Sequence, residues 1–466
     1  MLRTVIVALA LVMGLANGAH AQTAPRFYFG ADLSFANEMD DCGAVYRDRN
    51  GPRDVYEIFS AAGHNLARIR IWNNATWTHY SNLDDVRRSI RRAHAAGMQV
   101  LLDFHYSDDW ADGDKQIVPA AWADLSDADA EQALYRYTFD TLTALDRDGL
   151  MPEMVQVGNE INKEILAPAE WQGEQRPINW TRNAALINAG IRAVREASAH
   201  AAVKPLVMLH IAQPENVEPW FQAATAAGVR DFDLIGISYY RKWSTMGLDG
   251  LGQVINRLRF RYPGVGIIAV ETAYPWTTAY NDPLPNILGP PETLLEGYPA
   301  TQRGQEKYFI DFTQAVINAG GVGVVSWAPD WVSTHCTTRW GRGSSWENAA
   351  FFDFRGRVLP AASFAQHAYT WPVNVTLRFE HAPSTAERLY LWADFFGARD
   401  FVAPLVRDAS GAFIFSTRLQ GGRAIQFQVY DRLPLGPPLL TPTNPVSRAV
   451  VAQVGREDTT LTFQIP

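Results

Sequence analysis

Between Phe27 and Trp371 short apolar runs alternate with segments of helical periodicity, and the alternation occurs eight times. The apolar runs are Phe27–Leu33, Leu66–Trp72, Gln99–Tyr106, Met154–Glu160, Pro205–Ile211, Asp233–Tyr240, Gly266–Thr272 and Gly323–Trp327. Helical patterns between them include Val55–Ala62, Asp84–Ala96, Ala128–Leu145, Ile178–Ala199, Pro219–Ala227 and Thr301–Ala319. Gly63, Gly97, Gly149, Gly228 and Gly320 follow such patterns, where a helix end wants a left-handed residue. Eight strand–helix units in about 345 residues predict an α/β fold, a (β/α)8 TIM barrel with insertions.

After Trp371 the period changes from helical to two. Val375–Phe379, Arg388–Trp392, Ala412–Ser416, Ala424–Tyr430 and Thr460–Ile465 alternate apolar and polar residues, with turns such as Asp408-Ala409-Ser410-Gly411 between them. A small C-terminal antiparallel β-sandwich is expected over 372–466, with the Pro-rich stretch Leu433–Pro445 as a loop. The barrel would occupy 22–371. Residues 1–21 read as an export signal: Arg3 is the charge, Val5–Ala16 the apolar core and Ala19-His20-Ala21 the cleavage site. That core is too short to span a bilayer, so the expectation is a secreted or periplasmic protein without membrane insertion.

Composition narrows the partners. The net charge of −8 argues against a nucleic-acid binder that relies on a broad basic surface. Two cysteines in 466 residues exclude a disulfide scaffold and a multi-cysteine zinc site. The chain holds 15 Trp, 17 Tyr and 23 Phe, an aromatic content that suits flat apolar ligands such as sugar rings.

Catalytic residues of such barrels gather at the C-terminal ends of the strands. The fourth run ends in Val157-Gly158-Asn159-Glu160, and the seventh in Val270-Glu271-Thr272. Two carboxyls facing each other across a barrel mouth are the minimum equipment for glycosidic cleavage: one protonates the leaving oxygen, the other attacks the anomeric carbon or activates water. Arg68 and Arg70 share a strand face and could keep a nucleophile ionised; a structural ion pair is the alternative. Asp103 and His105 also share a face, but no H-E-x-x-H accompanies them, so neither a metal nor another cofactor is expected. Trp110, Trp243 and Trp327 stand at or beyond strand ends, and thirteen of the 15 Trp precede residue 371.

These motifs resemble glycoside hydrolase family 53, the endo-β-1,4-galactanases of clan A. The likeness runs from Gly30 to Phe364 through Gly30-Ala31-Asp32-Leu33-Ser34, Arg68-Ile69-Arg70-Ile71-Trp72-Asn73, Asp103-Phe104-His105-Tyr106-Ser107-Asp108, Gln156-Val157-Gly158-Asn159-Glu160-Ile161-Asn162, Val270-Glu271-Thr272-Ala273-Tyr274-Pro275 and Trp346-Glu347-Asn348. The resemblance implies Glu160 as acid/base, Glu271 as nucleophile and Asn159 as the partner of the sugar 2-hydroxyl. Arg68 and Tyr240, with Arg70 close behind, would hold the nucleophile. Asp103, His105, Trp110, Trp243 and Trp327 would surround the substrate. The clan retains configuration, so the carboxyl groups should lie about 5–5.5 Å apart. The implied activity is a secreted, monomeric endo-β-1,4-galactanase acting on pectin galactan. Another retaining clan A glycanase (mannanase, cellulase or xylanase) and a non-catalytic carbohydrate-binding barrel are the alternatives.

Three further expectations follow. Bacterial members often bind calcium after strand seven, but Pro275–Pro283 carries one carboxylate, so no such site is expected. Cys42 and Cys336 follow strands that are neighbours in a closed barrel, and would be bonded if their Cα atoms lie within about 7 Å. The sandwich faintly resembles immunoglobulin-like starch-binding modules, which leaves a sugar-binding and a purely structural role both open.

Overall fold

The computed structural model describes residues 27–171, 176–382, 387–397, 401–431 and 449–465. The export signal at 1–21 and the loop Leu433–Pro445 lie outside these residues. Eight parallel strands form a closed barrel: β1 (Tyr28–Asp32), β2 (Leu66–Ile71), β3 (Gln99–Phe104), β4 (Met154–Val157), β5 (Leu206–Ala212), β6 (Leu234–Ser238), β7 (Gly266–Thr272) and β8 (Gly323–Ser326). The barrel closes where β1 pairs with β8, from Tyr28 opposite Gly323 to Ala31 opposite Ser326. The helices are α1 (Ala36–Asp41), α2 (Val55–Ala61), α3 (Leu83–Ala95), α4 (Asp127–Arg147), α5 (Trp180–Ala197), α6 (Pro214–Ala226), α7 (Leu248–Arg261) and α8 (Gln302–Asn318).

Helix α7 was absent from the expected elements. Its Gly250 and Gly252 lower helix propensity. Buried Leu251, Val254, Ile255 and Leu258, spaced three and four apart, supply the stripe that packs it on the barrel. Helix α6 starts five residues earlier than expected, with Pro214 in its first turn, where a missing N–H costs nothing, and Pro219 one turn later.

The barrel interior is layered. Leu66, Leu101, Met154, Met208 and Leu234 form an apolar floor. Side chains two residues further along a strand point the same way. There the inward positions become Arg68, Asp103, Gln156, His210 and Gly236, so polarity switches on at the end of the barrel where the loops gather.

The C-terminal unit is a sandwich. One sheet runs in the order β12 (Val406–Arg407), β13 (Phe413–Leu419), β9 (Val373–Glu380) and β16 (Thr459–Gln464). The other runs β11 (Ala403–Pro404), β10 (Tyr390–Ala393), β14 (Ala424–Tyr430) and β15 (Val450–Gln453). The short β15 was not expected, and β9 pairs with β16 in parallel rather than antiparallel. Phe260 of α7 reaches into this unit and meets Phe396 at 4.8 Å and Phe415 at 5.4 Å between ring centroids. Arg259 donates to Thr417 Oγ1 at 2.9 Å beside it.

Cys42 and Cys336 are bonded, with Cα atoms 5.7 Å apart. The bond ties the loop after β1 to the loop after β8 across the closure seam. It closes a span of 294 residues, so it restricts the unfolded chain strongly. Replacing both cysteines by serine should cost about 2–4 kcal/mol and lower the thermal midpoint. Equal midpoints with and without reductant would count against this.

Candidate active site

Strand β4 ends at Val157, and the chain leaves the sheet through Gly158 at φ +84°. A Cβ there would lie 2.5 Å from Ile161 Cγ2, so glycine is required. The turn delivers Asn159 and Glu160 to the barrel mouth. Glu160 itself is held at φ +45°. Tyr106, Gln213 and Ala328 also have positive φ (50°, 57° and 47°), just beyond β3, β5 and β8. Backbone strain in non-glycine residues thus gathers around the mouth, as it does at functional sites.

Arg68 is the hub. Nη1 donates to Asp32 Oδ2 at 2.7 Å and to Glu271 Oε1 at 2.8 Å. Nη2 donates to Asp103 Oδ2 at 2.8 Å and to Asn159 Oδ1 at 2.7 Å. Strand register causes this, since Asp32 lies opposite Arg68 and the next inward side chain on β3 is Asp103. The other oxygen of Glu271, Oε2, accepts from Tyr240 at 3.0 Å. Glu160 Oε2 accepts from the Gly113 N–H at 3.1 Å. One carboxylate oxygen of each glutamate lies within 4.8 Å of the other. That is the short separation of retaining glycosidases, not the wider inverting gap.

The histidines have defined tautomers. His105 Nδ1 accepts from Ala111 N at 3.1 Å, so Nε2 carries the proton and donates to Asp103 at 3.0 Å. His210 Nδ1 faces the Glu160 N–H at 3.3 Å, the Gln156 amide nitrogen at 3.1 Å and Asn159 Oδ1 at 3.0 Å; the two N–H donors assign it as an acceptor, which leaves Nε2–H for Ser238 Oγ at 2.7 Å. Burial pushes both imidazoles below their ordinary range, so both stay neutral. Asp103 is also buried, but Arg68 and His105 override that cost and hold it below the usual carboxylate range.

Burial pushes Glu160 up, Asp112 adds to the rise, and the Ser238 hydroxyl opposes it. Burial pushes Glu271 further up; Arg68 opposes, and Glu160, Asp32 and Asp103 add. Arg68 alone therefore does not keep Glu271 in the ordinary range. The ionisation state is set by the pair. Two like charges this close cannot both form easily, so the pair retains one proton. Glu271 has two strong donors, the Arg68 cation and the Tyr240 hydroxyl, so the charge belongs there and the proton on Glu160.

Glu160 and Glu271 line a cleft of about 510 Å³, together with Asn159, Trp110, Tyr240, Trp243 and Trp327. Its rings form a belt: Trp110 to Trp327 (5.9 Å), Trp327 to Trp346 (4.7 Å), Trp346 to Tyr240 (5.9 Å) and Tyr240 to Trp243 (5.3 Å). Trp243 is 48% exposed. Trp346 also lines the cleft and Trp340, 40% exposed, extends the belt from Trp110, yet neither was singled out as a candidate site residue. Both follow β8 by more than a dozen residues, so strand ends gave no signal for them.

Three of the expected substrate residues are not among those lining this cleft. Asp103 and His105 are buried beneath the cleft, tied into the Arg68 network. Arg70 does not touch Glu271. Its guanidinium sits over the rings of Trp110 (4.1 Å) and Trp72 (4.3 Å), with Nε donating to Ser81 Oγ at 3.1 Å. Strand register faces Arg70 inward, but these rings take up its charge.

Glu160, His210 and Glu271 place ligand-type atoms close enough for one metal ion. The donor set does not fit one, because the Arg68 cation already occupies Glu271 Oε1 and Tyr240 the other oxygen. After β7, Asp282 is the one carboxylate of Pro275–Pro283, and Glu347 joins it from a distant loop. The Asp282 oxygens accept from Leu284 N and Ser344 N at 2.8 Å each, and Glu347 Oε1 from Asn281 N at 2.6 Å. Burial raises Glu347 to about 7. Two carboxylates already engaged by backbone N–H groups fall short of the six to eight oxygens that calcium takes.

Residues 28–365 match glycosyl hydrolase family 53. An arabinogalactan endo-β-1,4-galactanase of Cellvibrio japonicus (strain Ueda107) is 48% identical over 362 residues, 77% of this chain and 95% of that protein. The endo-β-1,4-galactanase of Bacillus subtilis (strain 168) is 33% identical, over 73% of this chain and 86% of that one. Among solved structures, the Ignisphaera aggregans GH53 catalytic domain superposes with a TM-score of 0.67 at 32% identity, covering 75% of this chain and 98% of that domain. A family match across most of the barrel, on a cleft built around two close glutamates, shows that the chain belongs to glycosyl hydrolase family 53 and is a glycoside hydrolase.

Proposed function

We propose that this chain is a secreted, monomeric, retaining endo-β-1,4-galactanase that cuts the galactan side chains of pectin. The observation that carries the reading is the Glu160–Glu271 pair, within 4.8 Å on the floor of an aromatic cleft, in a chain 48% identical to an arabinogalactan endo-galactanase. Glu271 attacks the anomeric carbon while protonated Glu160 gives its proton to the departing glycosidic oxygen. Water, deprotonated by Glu160, then attacks the glycosyl-enzyme and releases Glu271. Asn159 is placed for the sugar 2-hydroxyl. Its Oδ1 is taken by Arg68, and Nδ2 donates to Ala111 O at 2.8 Å, which leaves one amide hydrogen. Secretion rests on the signal pattern of Met1 to Ala21.

The test is a product profile on potato galactan beside mannan, xylan and cellulose. Galacto-oligosaccharides from galactan, with little release from the others, support the reading; preference for another glycan overturns it.

A pH prediction follows from the shared proton. Activity needs Glu160 protonated, so it is lost as pH rises through the raised Glu160 range. The Ser238 hydroxyl favours the charged form of Glu160. Ser238→Ala should therefore move the basic limb of kcat/KM to higher pH. A limb that moves down, or stays, contradicts the assignment of Glu160 as the acid.

A further inference from the structure

We propose that Gln213 and Asn216, beside Trp243, form the subsite that holds the departing sugar, and that the strained backbone at Gln213 exists to aim its amide into the cleft. The inference rests on the galactanase reading and extends it to residues that no motif marked.

The position follows from the acid. The Glu160 carboxyl faces the leaving oxygen, so the groups beyond it, away from the Arg68–Glu271 hub, border the leaving sugar. Gly113, whose N–H holds Glu160 Oε2, is the contact to that side. A Cβ on Gly113 would lie 3.3 Å from Ala212 Cβ and 3.5 Å from Asn162 Cγ. Asn162 pins the strand end. Its Oδ1 accepts from Ala212 N at 2.7 Å and its Nδ2 donates to Ala212 O at 3.0 Å. The next residue, Gln213, lines the cleft at φ 57°, ψ 135°. Pro214 follows and favours an extended ψ, while the positive φ pushes Cβ against the backbone.

Gln213 has the N-cap position of α6 but makes no side-chain cap bond. Its backbone N–H goes to Ser238 O at 3.0 Å, and its Oε1 meets only a long 3.5 Å contact from Asn216 Nδ2; Asn216 Nδ2 donates to Ala212 O at 2.9 Å, which holds that amide in place with its Oδ1 left for a ligand. An amide that neither caps its helix nor bonds tightly, on a backbone that costs energy to hold, is placed for a ligand. The facing wall is built on the same turn. Glu215 accepts from Ser244 Oγ at 2.8 Å, Thr245 N at 2.8 Å and Met246 N at 3.2 Å, which fixes the loop that presents exposed Trp243. Two amides and one indole face match a pyranose: hydroxyls to the amides, the apolar ring face to the indole.

The test compares two substrates. β-1,4-Galactotetraose needs the leaving-sugar subsite; p-nitrophenyl β-1,4-galactobioside has a leaving group that departs without it. Gln213→Gly and Asn216→Ala should each lower kcat/KM on the tetraose about tenfold more than on the aryl glycoside, the loss of roughly one hydrogen bond. Transfer to an added galactose acceptor should fall by a similar factor. There the acceptor O–H attacks the glycosyl-enzyme, its proton passes to Glu160, and the Glu271 carboxylate is released. Glycine tolerates the positive φ, so Gln213→Gly should melt no lower than the parent. Equal losses on both substrates, or a lower melting temperature for Gln213→Gly, overturn the proposal. A parent enzyme that does not cleave galactotetraose overturns the galactanase reading instead.

Discussion

Replacement of Glu271 by alanine is expected to abolish reducing-sugar release from β-1,4-galactan while oligosaccharide binding, followed by calorimetry, persists. The two oxygens of Glu271 are held by Arg68 and Tyr240, and the partner carboxyl of Glu160, within 4.8 Å, carries the proton. Glu160→Ala should behave differently. General acid catalysis contributes roughly 10²–10⁴-fold, so the loss on galactan should fall in that range and be smaller for an aryl glycoside whose leaving group needs no proton. Azide should restore turnover of the Glu160 variant by attacking the accumulated glycosyl-enzyme, and yield a β-galactosyl azide. Hydrolysis of galactan by the Glu271 variant, or an α-configured azide, would show that the two glutamates do not act by double displacement.

The second large effect lies beneath the cleft. Arg68 is 1% exposed and bonds three carboxylates, those of Asp32, Asp103 and Glu271. Arg68→Met removes the only cation among them and leaves uncompensated buried charge, a cost on the order of 3–5 kcal/mol. Arg68→Lys should recover little, because one ammonium cannot reproduce a planar fork that reaches five side chains, those of Asp32, Asp103, Gln156, Asn159 and Glu271. The sign of the pH dependence separates this from simple loss of packing. The orphaned carboxyls need no cation once protonated, so the stability deficit of Arg68→Met should shrink as pH falls. A deficit that is constant with pH, measured by urea unfolding, would mean that the arginine acts mainly through shape.

The barrel was legible because its signals are local. Each strand is a short apolar run, and most helices end on a glycine. Glu160 and Glu271 stood out because each follows an apolar run directly. What stayed hidden depended on distant packing. An inward strand residue can line the cleft or lie under it, and the sequence does not distinguish these; Asp103 and His105 proved to lie under it, while Arg70 was taken by Trp72 and Trp110. Glu347 meets Asp282 across 64 intervening positions, so no local stretch shows the two together. Gln213 carries no local mark at all, since its positive φ arises where β5 must turn into Pro214. Helix α7 was missed because its two glycines masked a stripe that only the barrel completes.

That helix has one more consequence. Phe260 stands on its outer side, surrounded by the rings of Phe395, Phe396, Phe401 and Phe415. A chain shortened at Trp371 would keep every group of the cleft but present this phenylalanine to water. The catalytic half on its own is thus chemically complete yet sticky, and a polar residue at 260 is what would let it live alone in solution.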